Sequence, residues 1–360
     1  MILQVVCAPG LEKVVEAELR ALGHRPKAVG PGLLSIEGSP LDAARACLML
    51  RSATTLRALL VQAEVRGQGD LRNALGSGEL PRWLPPGSSI SLKVDLKRSW
   101  LRHSGVLKEA LVAALPDRPL DPAGLGLLVR LEGRSLTASL DLAGEPLHRR
   151  GWRREGGRAP LRETLACGLL GLAGWKPEEA LYDPMCGSGT IPIEAARWSL
   201  GLAPGAERDF ALERLAVFEP FASEYDALTT ITAPPRKVAP ILASDAHRGA
   251  VGSTTRNATR AGVAGVVEVS HAALPEVARP DCAPGLVICN APYGRRIGED
   301  RGEVRAAHAA LGAALRGPLE GWRLALLTRD EGLAKATGLT LKKAADLENG
   351  GLRVGVYLTR

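Results

Sequence analysis

Two periodicities alternate along this chain, and the switches between them mark out its elements. Residues 3–7 form a short apolar run closed by Pro9-Gly10. Residues 11–22 then place Leu11, Val14, Val15, Leu19 and Leu22 on one helical face. Strands are predicted over 33–36 and 55–65, with a helix over 42–49 between them. A second α+β stretch follows: helices over 70–75 and 106–115, strands over 89–95, 125–132 and 135–142. Residues 144–154 carry glycine, proline and charge with neither periodicity and read as a linker. Beyond them come an amphipathic helix (162–173), a strand (180–182), a helix (191–200), a strand (241–245), a helix (248–261) and strands over 266–270 and 285–289. A helix (303–315), a strand (323–328) and a pair turning at Asn349-Gly350-Gly351 close the chain. Phe210, Phe218 and Phe221, with Trp198, predict that the insertion over 201–240 packs down and is partly helical. Strands alternating with helices and ending in a hairpin predict a mostly parallel sheet with one antiparallel strand. The implied domains are 1–66, 67–143, a basic linker over 144–160, and 161–360.

Composition sharpens this picture in two places. No run of about 18 apolar residues occurs and no charged leader precedes an apolar segment, which predicts a soluble, cytoplasmic protein without membrane contact. Six scattered cysteines without Cys-x-x-Cys pairs or histidine clusters argue against a metal site and against a disulfide framework. The net charge of +7 lies entirely in residues 1–158, where 23 Lys and Arg face 16 Asp and Glu; the remainder holds 23 of each sign. A basic first half joined to a neutral second half reads as a module that docks on a polyanion. With 36 Arg against 10 Lys, the alternative is a solvated basic face in an arginine-rich chain.

Two stretches carry candidate chemistry. In Asp183-Pro184-Met185-Cys186-Gly187-Ser188-Gly189-Thr190 a short apolar strand runs into an acid, a glycine turn and a helix. Gly187 and Gly189 allow a tight turn and leave room for a ligand against main chain. Alone, such a turn is weak evidence, because many structural strand-to-helix connections look the same. Later, an apolar strand ends in Asn290-Ala291-Pro292-Tyr293-Gly294. The side-chain oxygen of Asn290 and the carbonyl of Ala291 could accept the two N–H bonds of an exocyclic base amine, with Tyr293 stacked on the base. A proline turn with an incidental Asn is the alternative. Both stretches in this order are far more specific than either.

These motifs resemble those of S-adenosylmethionine-dependent amino-methyltransferases, in which Asp-Pro-x-x-Gly-Ser-Gly-Thr cradles the cofactor and Asn-Pro-Pro-Tyr holds the target amine. The resemblance is closest to RNA guanine-N2 methyltransferases with an N-terminal THUMP domain, and it covers most of the chain. It implies an α/β fold: a Rossmann-like class I methyltransferase domain with a mostly parallel seven-stranded sheet, preceded by an α+β ferredoxin-like/THUMP module. It implies S-adenosyl-L-methionine held by Asp183, Pro184, Met185, Cys186, Gly187, Ser188, Gly189 and Thr190, with Asp245 on the ribose and His271 near the adenine. Asn290, Ala291, Pro292 and Tyr293 would hold the flipped base. Three positions depart from the pattern: Ala291 replaces a proline, and His247 and His271 stand where acids are common.

The resemblance also implies RNA contacts. Lys97, Arg98, Arg102 and His103 surround Trp100 near a helix start, as in the RNA-contacting loop of THUMP domains. Arg149, Arg150, Arg153 and Arg154 around Trp152 suit a surface that tracks a nucleic-acid backbone, and Arg295 and Arg296 could hold a phosphate beside a flipped base. A solvated loop is the alternative for the first group, and ordinary loop arginines are the alternative for Arg295 and Arg296. The expectation is a monomeric enzyme that needs no metal and forms N2-methylguanosine in 23S rRNA or tRNA. An adenine-N6 methyltransferase would use the same Asn-x-Pro-Tyr geometry. A non-catalytic RNA-binding protein with a decayed cofactor site is motivated by Ala291, His247 and His271. A dinucleotide oxidoreductase is weakest, because the loop lacks Gly-x-Gly-x-x-Gly spacing.

Overall fold

In the computed structural model, which describes residues 1–156, 161–229, 238–292 and 300–359, the N-terminal strands join a single sheet. Strands β1 (Ile2–Cys7), β2 (Lys27–Gly30), β3 (Leu33–Glu37), β4 (Ala53–Glu64), β5 (Ile90–Lys97), β6 (Leu125–Glu132) and β7 (Ser135–Asp141) stand in the order β2-β3-β1-β4-β7-β6-β5. β5 and β6 are parallel; the other neighbours are antiparallel. The long β4 pairs with β1 through Leu59 and Ile2 and with β7 through Arg57 and Asp141, so residues 1–66 and 67–143 share one sheet. Alternate residues Leu3, Val5, Leu34, Ile36, Leu56 and Ala58 point inward and are buried. β2 escaped the apolar pattern because none of its four residues is buried; it is held through its backbone to β3. Helices α1 (Glu12–Ala21), α2 (Pro40–Met49), α3 (Gln68–Gly76), α4 (Glu79–Trp83) and α5 (Ser104–Ala114) fall along this part. A reciprocal cap starts α2: the amide of Asp42 donates to Ser39 Oγ at 3.2 Å, and the amide of Ser39 donates to Asp42 Oδ2 at 2.8 Å.

The C-terminal strands β8 (Leu181–Asp183), β9 (Ile241–Asp245), β10 (Val267–His271), β11 (Leu286–Asn290), β12 (Arg323–Thr328), β13 (Leu341–Asn349) and β14 (Leu352–Thr359) form a second sheet. Its order is β10-β9-β8-β11-β12-β14-β13, with β14 alone reversed among them. From β8 the chain steps outward to β9 and β10, then returns to build β11 and β12 on the other side. This order reversal places a crevice at the carboxyl ends of β8 and β11. Both strands are buried, as a covered parallel sheet requires.

The helices along this part are α6 (Glu163–Leu172), α7 (Thr190–Ser199), α8 (Ala222–Thr229), α9 (Arg248–Arg260), α10 (Arg301–Arg316) and α11 (Glu331–Ala336). The expected amphipathic helix α6 is instead buried all round from Glu163 to Leu170.

The chain divides into two units. One contains Met1–Cys7, Glu16–Leu147 and the segment that begins at Arg208; the other contains Ala8–Val15, His148–Glu207 and the C-terminal sheet. Much of the 201–240 insertion thus belongs to the first unit. There the Arg208 guanidinium donates to the carbonyls of Ala143, Glu145 and Pro146 at 3.0, 2.6 and 2.8 Å, and Phe210 and Phe218 are buried. Among the described residues, no helix is long and apolar enough to cross a membrane, and no group of three or more His, Cys, Asp or Glu could hold a metal ion.

Candidate functional site

Two loops meet at the carboxyl ends of β8 and β9. After Asp183 the chain turns through Gly187 (φ 57°) and Gly189 (φ 82°) into α7. At Gly189 a Cβ would lie 2.6 Å from Thr254 Cγ2, so the position is closed to larger residues. At Gly187 a Cβ would meet nothing within 4 Å; only the backbone angle calls for glycine, and its outer side is open. The turn is fastened by hydrogen bonds from the amide of Gly189 to the Cys186 carbonyl (2.8 Å) and from the amide of Cys186 to the Ser244 carbonyl (3.0 Å).

Asp245, the last residue of β9, joins the loops. Its Oδ2 accepts the amide of Gly187 at 3.0 Å and its Oδ1 the amide of His247 at 2.9 Å. Each carboxylate oxygen keeps lone-pair capacity for a ligand hydroxyl. On the neighbouring strand His271 is in register with Asp245, and its Nε2 lies 3.0 Å from the Ala246 carbonyl. That partner calls for the hydrogen on Nε2 and leaves Nδ1 able to accept when the ring is neutral.

Asp183 is buried, and its Oδ1 accepts the amide of Met185 at 3.1 Å. Burial, with the nearby charge of Asp245, pushes its carboxyl up to about 8 despite that hydrogen bond. Burial and Asp183 likewise raise the thiols of Cys186 and Cys289, and Cys186 Sγ lies 3.5 Å from Thr254 Oγ1.

β11 brings the second motif to the same sheet edge. Asn290 ends the strand in register with Leu327 of β12 and is half-buried; Ala291 is buried and Pro292 exposed. Tyr293, Arg295 and Arg296 lie outside the described residues.

The arginine-rich linker requires a correction. Arg150 was expected to face RNA, yet its side chain is fully buried, with Nε 3.8 Å from Glu194 Oε1. Trp152 is also buried and donates its ring N–H to the same carboxylate at 3.2 Å, while the Cys167 thiol donates to the other oxygen at 3.1 Å. Arg153 pairs with the buried Glu163 (Nε to Oε1, 2.9 Å) and donates to the Leu161 carbonyl at 2.6 Å. Desolvation outweighs the Arg153 charge and pushes the Glu163 carboxyl up to about 7. Arg150 and Arg153 therefore serve the interior, because burying the two glutamates demands cationic partners. Arg149 and Arg154 remain exposed. Lys97, Arg98, Arg102 and His103 are exposed in the first unit around Trp100, and Arg98 adopts φ 46°.

Two buried polar residues of α9, Thr254 and Asn257, escaped the sequence reading. Thr254 Oγ1 donates to the Gly187 carbonyl at 3.0 Å, and Asn257 Nδ2 donates to the carbonyls of Ser188 (2.9 Å) and Glu155 (3.2 Å). Their spacing of three on a helix otherwise rich in arginine was the only signal.

A sheet of this order, with a glycine turn after its first strand and an acid ending its second, defines a class I methyltransferase domain. The chain belongs to the UPF0020 family, whose model, the RMKL-like methyltransferase domain, matches residues 150–356; the model of the RlmL ferredoxin-like domain matches residues 3–55. Ribosomal RNA large subunit methyltransferase K/L of Hahella chejuensis is 31% identical over 374 residues, covering 98% of this chain and 52% of the relative. The chain thus spans about half the length of the curated relatives it matches. Among solved structures, SMU.472, complexed with SAH, is 28% identical with a TM-score of 0.86, covering 99% of this chain and 97% of its own. A predicted N6-adenine-specific DNA methylase from Listeria monocytogenes is 26% identical with a TM-score of 0.83, covering 100% and 96%.

Proposed function

We propose that this protein transfers a methyl group from S-adenosylmethionine to the exocyclic N2 of a guanosine in structured RNA, 23S rRNA or tRNA. The observation that carries this reading is the meeting of two loops on one carboxylate: Asp245 accepts the amide of Gly187 while keeping lone pairs for a ribose. The open outer side of Gly187 fits a ligand pressed against main chain. The SAH of a structural neighbour and the rRNA methyltransferase K/L name of the relatives support cofactor and substrate class. S-adenosylmethionine, when bound, supplies a methyl group on a positively charged sulfur.

The chain's own residues would do the rest. Asp183 to Thr190 would cradle the cofactor, Asp245 would hold its ribose, and His271 would offer Nδ1 toward its adenine. Asn290 and the Ala291 carbonyl would accept the two amine N–H bonds and aim the nitrogen, Pro292 would stiffen the turn, and Tyr293 is assigned to stack on the base. No strong base is required, since the amine can lose its proton after transfer. The basic first half, with Lys97, Arg98, Arg102 and His103, would dock the RNA, helped by Arg149, Arg154, Arg295 and Arg296. The same reading implies a monomer working in the cytoplasm.

Calorimetric titration with S-adenosylmethionine, followed by nucleoside analysis of RNA incubated with labelled cofactor, tests the proposal. Micromolar binding and labelled N2-methylguanosine are expected, and Asn290→Ala should abolish transfer while RNA binding stays near wild type. Label in N6-methyladenosine would favour the second reading, which the Listeria neighbour's description supports. Absence of cofactor binding would favour a non-catalytic RNA-binding protein.

A further inference from the structure

α9 presents Thr254 and Asn257 to the glycine turn, both 0% exposed. Burying a hydroxyl and an amide costs free energy unless each is hydrogen-bonded, and here each donates to a carbonyl of the turn. The carbonyls they satisfy belong to consecutive turn residues: Gly187, bonded to Thr254 Oγ1 at 3.0 Å, and Ser188, bonded to Asn257 Nδ2 at 2.9 Å. Asn257 is itself held, since its second N–H goes to the Glu155 carbonyl at 3.2 Å and its Oδ1 accepts from Arg260.

A planar trans peptide points its C=O and N–H in opposite directions. Fixing the Gly187 carbonyl toward α9 therefore turns the amide of Ser188 away from α9. Fixing the Ser188 carbonyl likewise sets the plane that carries the Gly189 amide, which closes onto Cys186 at 2.8 Å. The hydrogen of the Ser188 amide meets no acceptor among the described residues.

We infer that Thr254 and Asn257 are positioning residues: they hold the two peptide planes of the turn and aim the Ser188 amide at an acceptor atom of the bound cofactor. This rests on the reading of the turn as the S-adenosylmethionine cradle. Neither residue would touch the cofactor; each acts through a carbonyl.

Thr254→Val removes the hydroxyl but keeps the shape, and Thr254→Ser keeps the hydroxyl. In the whole chain, Thr254→Val should weaken S-adenosylmethionine binding about three- to tenfold, the equivalent of one hydrogen bond. Thr254→Ser should stay within about twofold of wild type. Asn257→Asp, which faces a carboxylate toward two carbonyls, should weaken binding at least about tenfold and serves if the valine variant does not fold. The KM for the cofactor should rise with kcat and RNA affinity little changed. Wild-type cofactor affinity in Thr254→Val and Asn257→Asp would overturn the inference. So would losses that track the unfolding midpoint and are not rescued by serine, which would mark a merely structural pair. If the wild type itself binds no S-adenosylmethionine, the cradle reading fails and this inference with it.

Discussion

Asp245 reaches from the end of β9 to accept the amide of Gly187 at 3.0 Å, so the acid and the glycine turn form one rigid unit. A single carboxylate thereby shapes the turn and would face the ribose. Asp245→Asn preserves the shape but removes the charge-assisted bonds, worth about 1.5–3 kcal/mol each. S-adenosylmethionine affinity should fall roughly ten- to hundredfold in calorimetry, with RNA affinity unchanged. Retained cofactor affinity would remove Asp245 from the site.

Asp183 makes stability depend on pH in an unusual direction. Its native pKa of about 8 lies above its ordinary value of 3.8, so the folded state binds the extra proton between those limits. The contribution is fully present below about pH 4 and is lost as pH rises through 8. Asp183→Asn should flatten the fall in unfolding midpoint between pH 5 and pH 8, recorded by calorimetric scans. An unchanged slope would show that Asp183 is ionised throughout.

Arg150 and Arg154 are near neighbours in sequence but should separate in experiment. Arg150→Ala strands the buried Glu194 carboxylate and should cost about 3–5 kcal/mol of stability in denaturant unfolding. Arg154→Ala should leave stability within about 0.5 kcal/mol and weaken RNA binding modestly. Equal destabilisation by both would contradict the burial pattern.

Replacing Lys97, Arg98 and Arg102 by alanine should weaken RNA binding and reduce the salt slope by up to about 2–3, with S-adenosylmethionine binding intact. A slope equal to wild type would show that the loop does not meet phosphate.

Much of the fold was legible because the burial pattern is one-dimensional. The runs at 125–132, 241–245 and 323–328 became β6, β9 and β12 with the same bounds, since apolar stretches closed by polar residues have few other uses. β2 left no apolar trace because nothing on it is buried. The linker misled for a different reason. Its arginines read as facing RNA because the acidic partners of Arg150 and Arg153, Glu194 and Glu163, lie in helices that local sequence does not connect to them. Thr254 and Asn257 were silent for the same cause: whether a small polar side chain on a polar helix is buried depends on what packs against that face.

The stretch around Trp152 also bears on how the protein can be cut. Glu194 receives Arg150, Trp152 and Cys167, and Glu163 receives Arg153, so a segment ahead of α6 completes the interior of the second unit. A separately produced second unit should therefore keep the stretch from His148 onward, together with Ala8–Val15. Begun at α6, it would carry two buried carboxylates stripped of their cations, and any loss of function in such a fragment would report a broken core rather than the missing first unit.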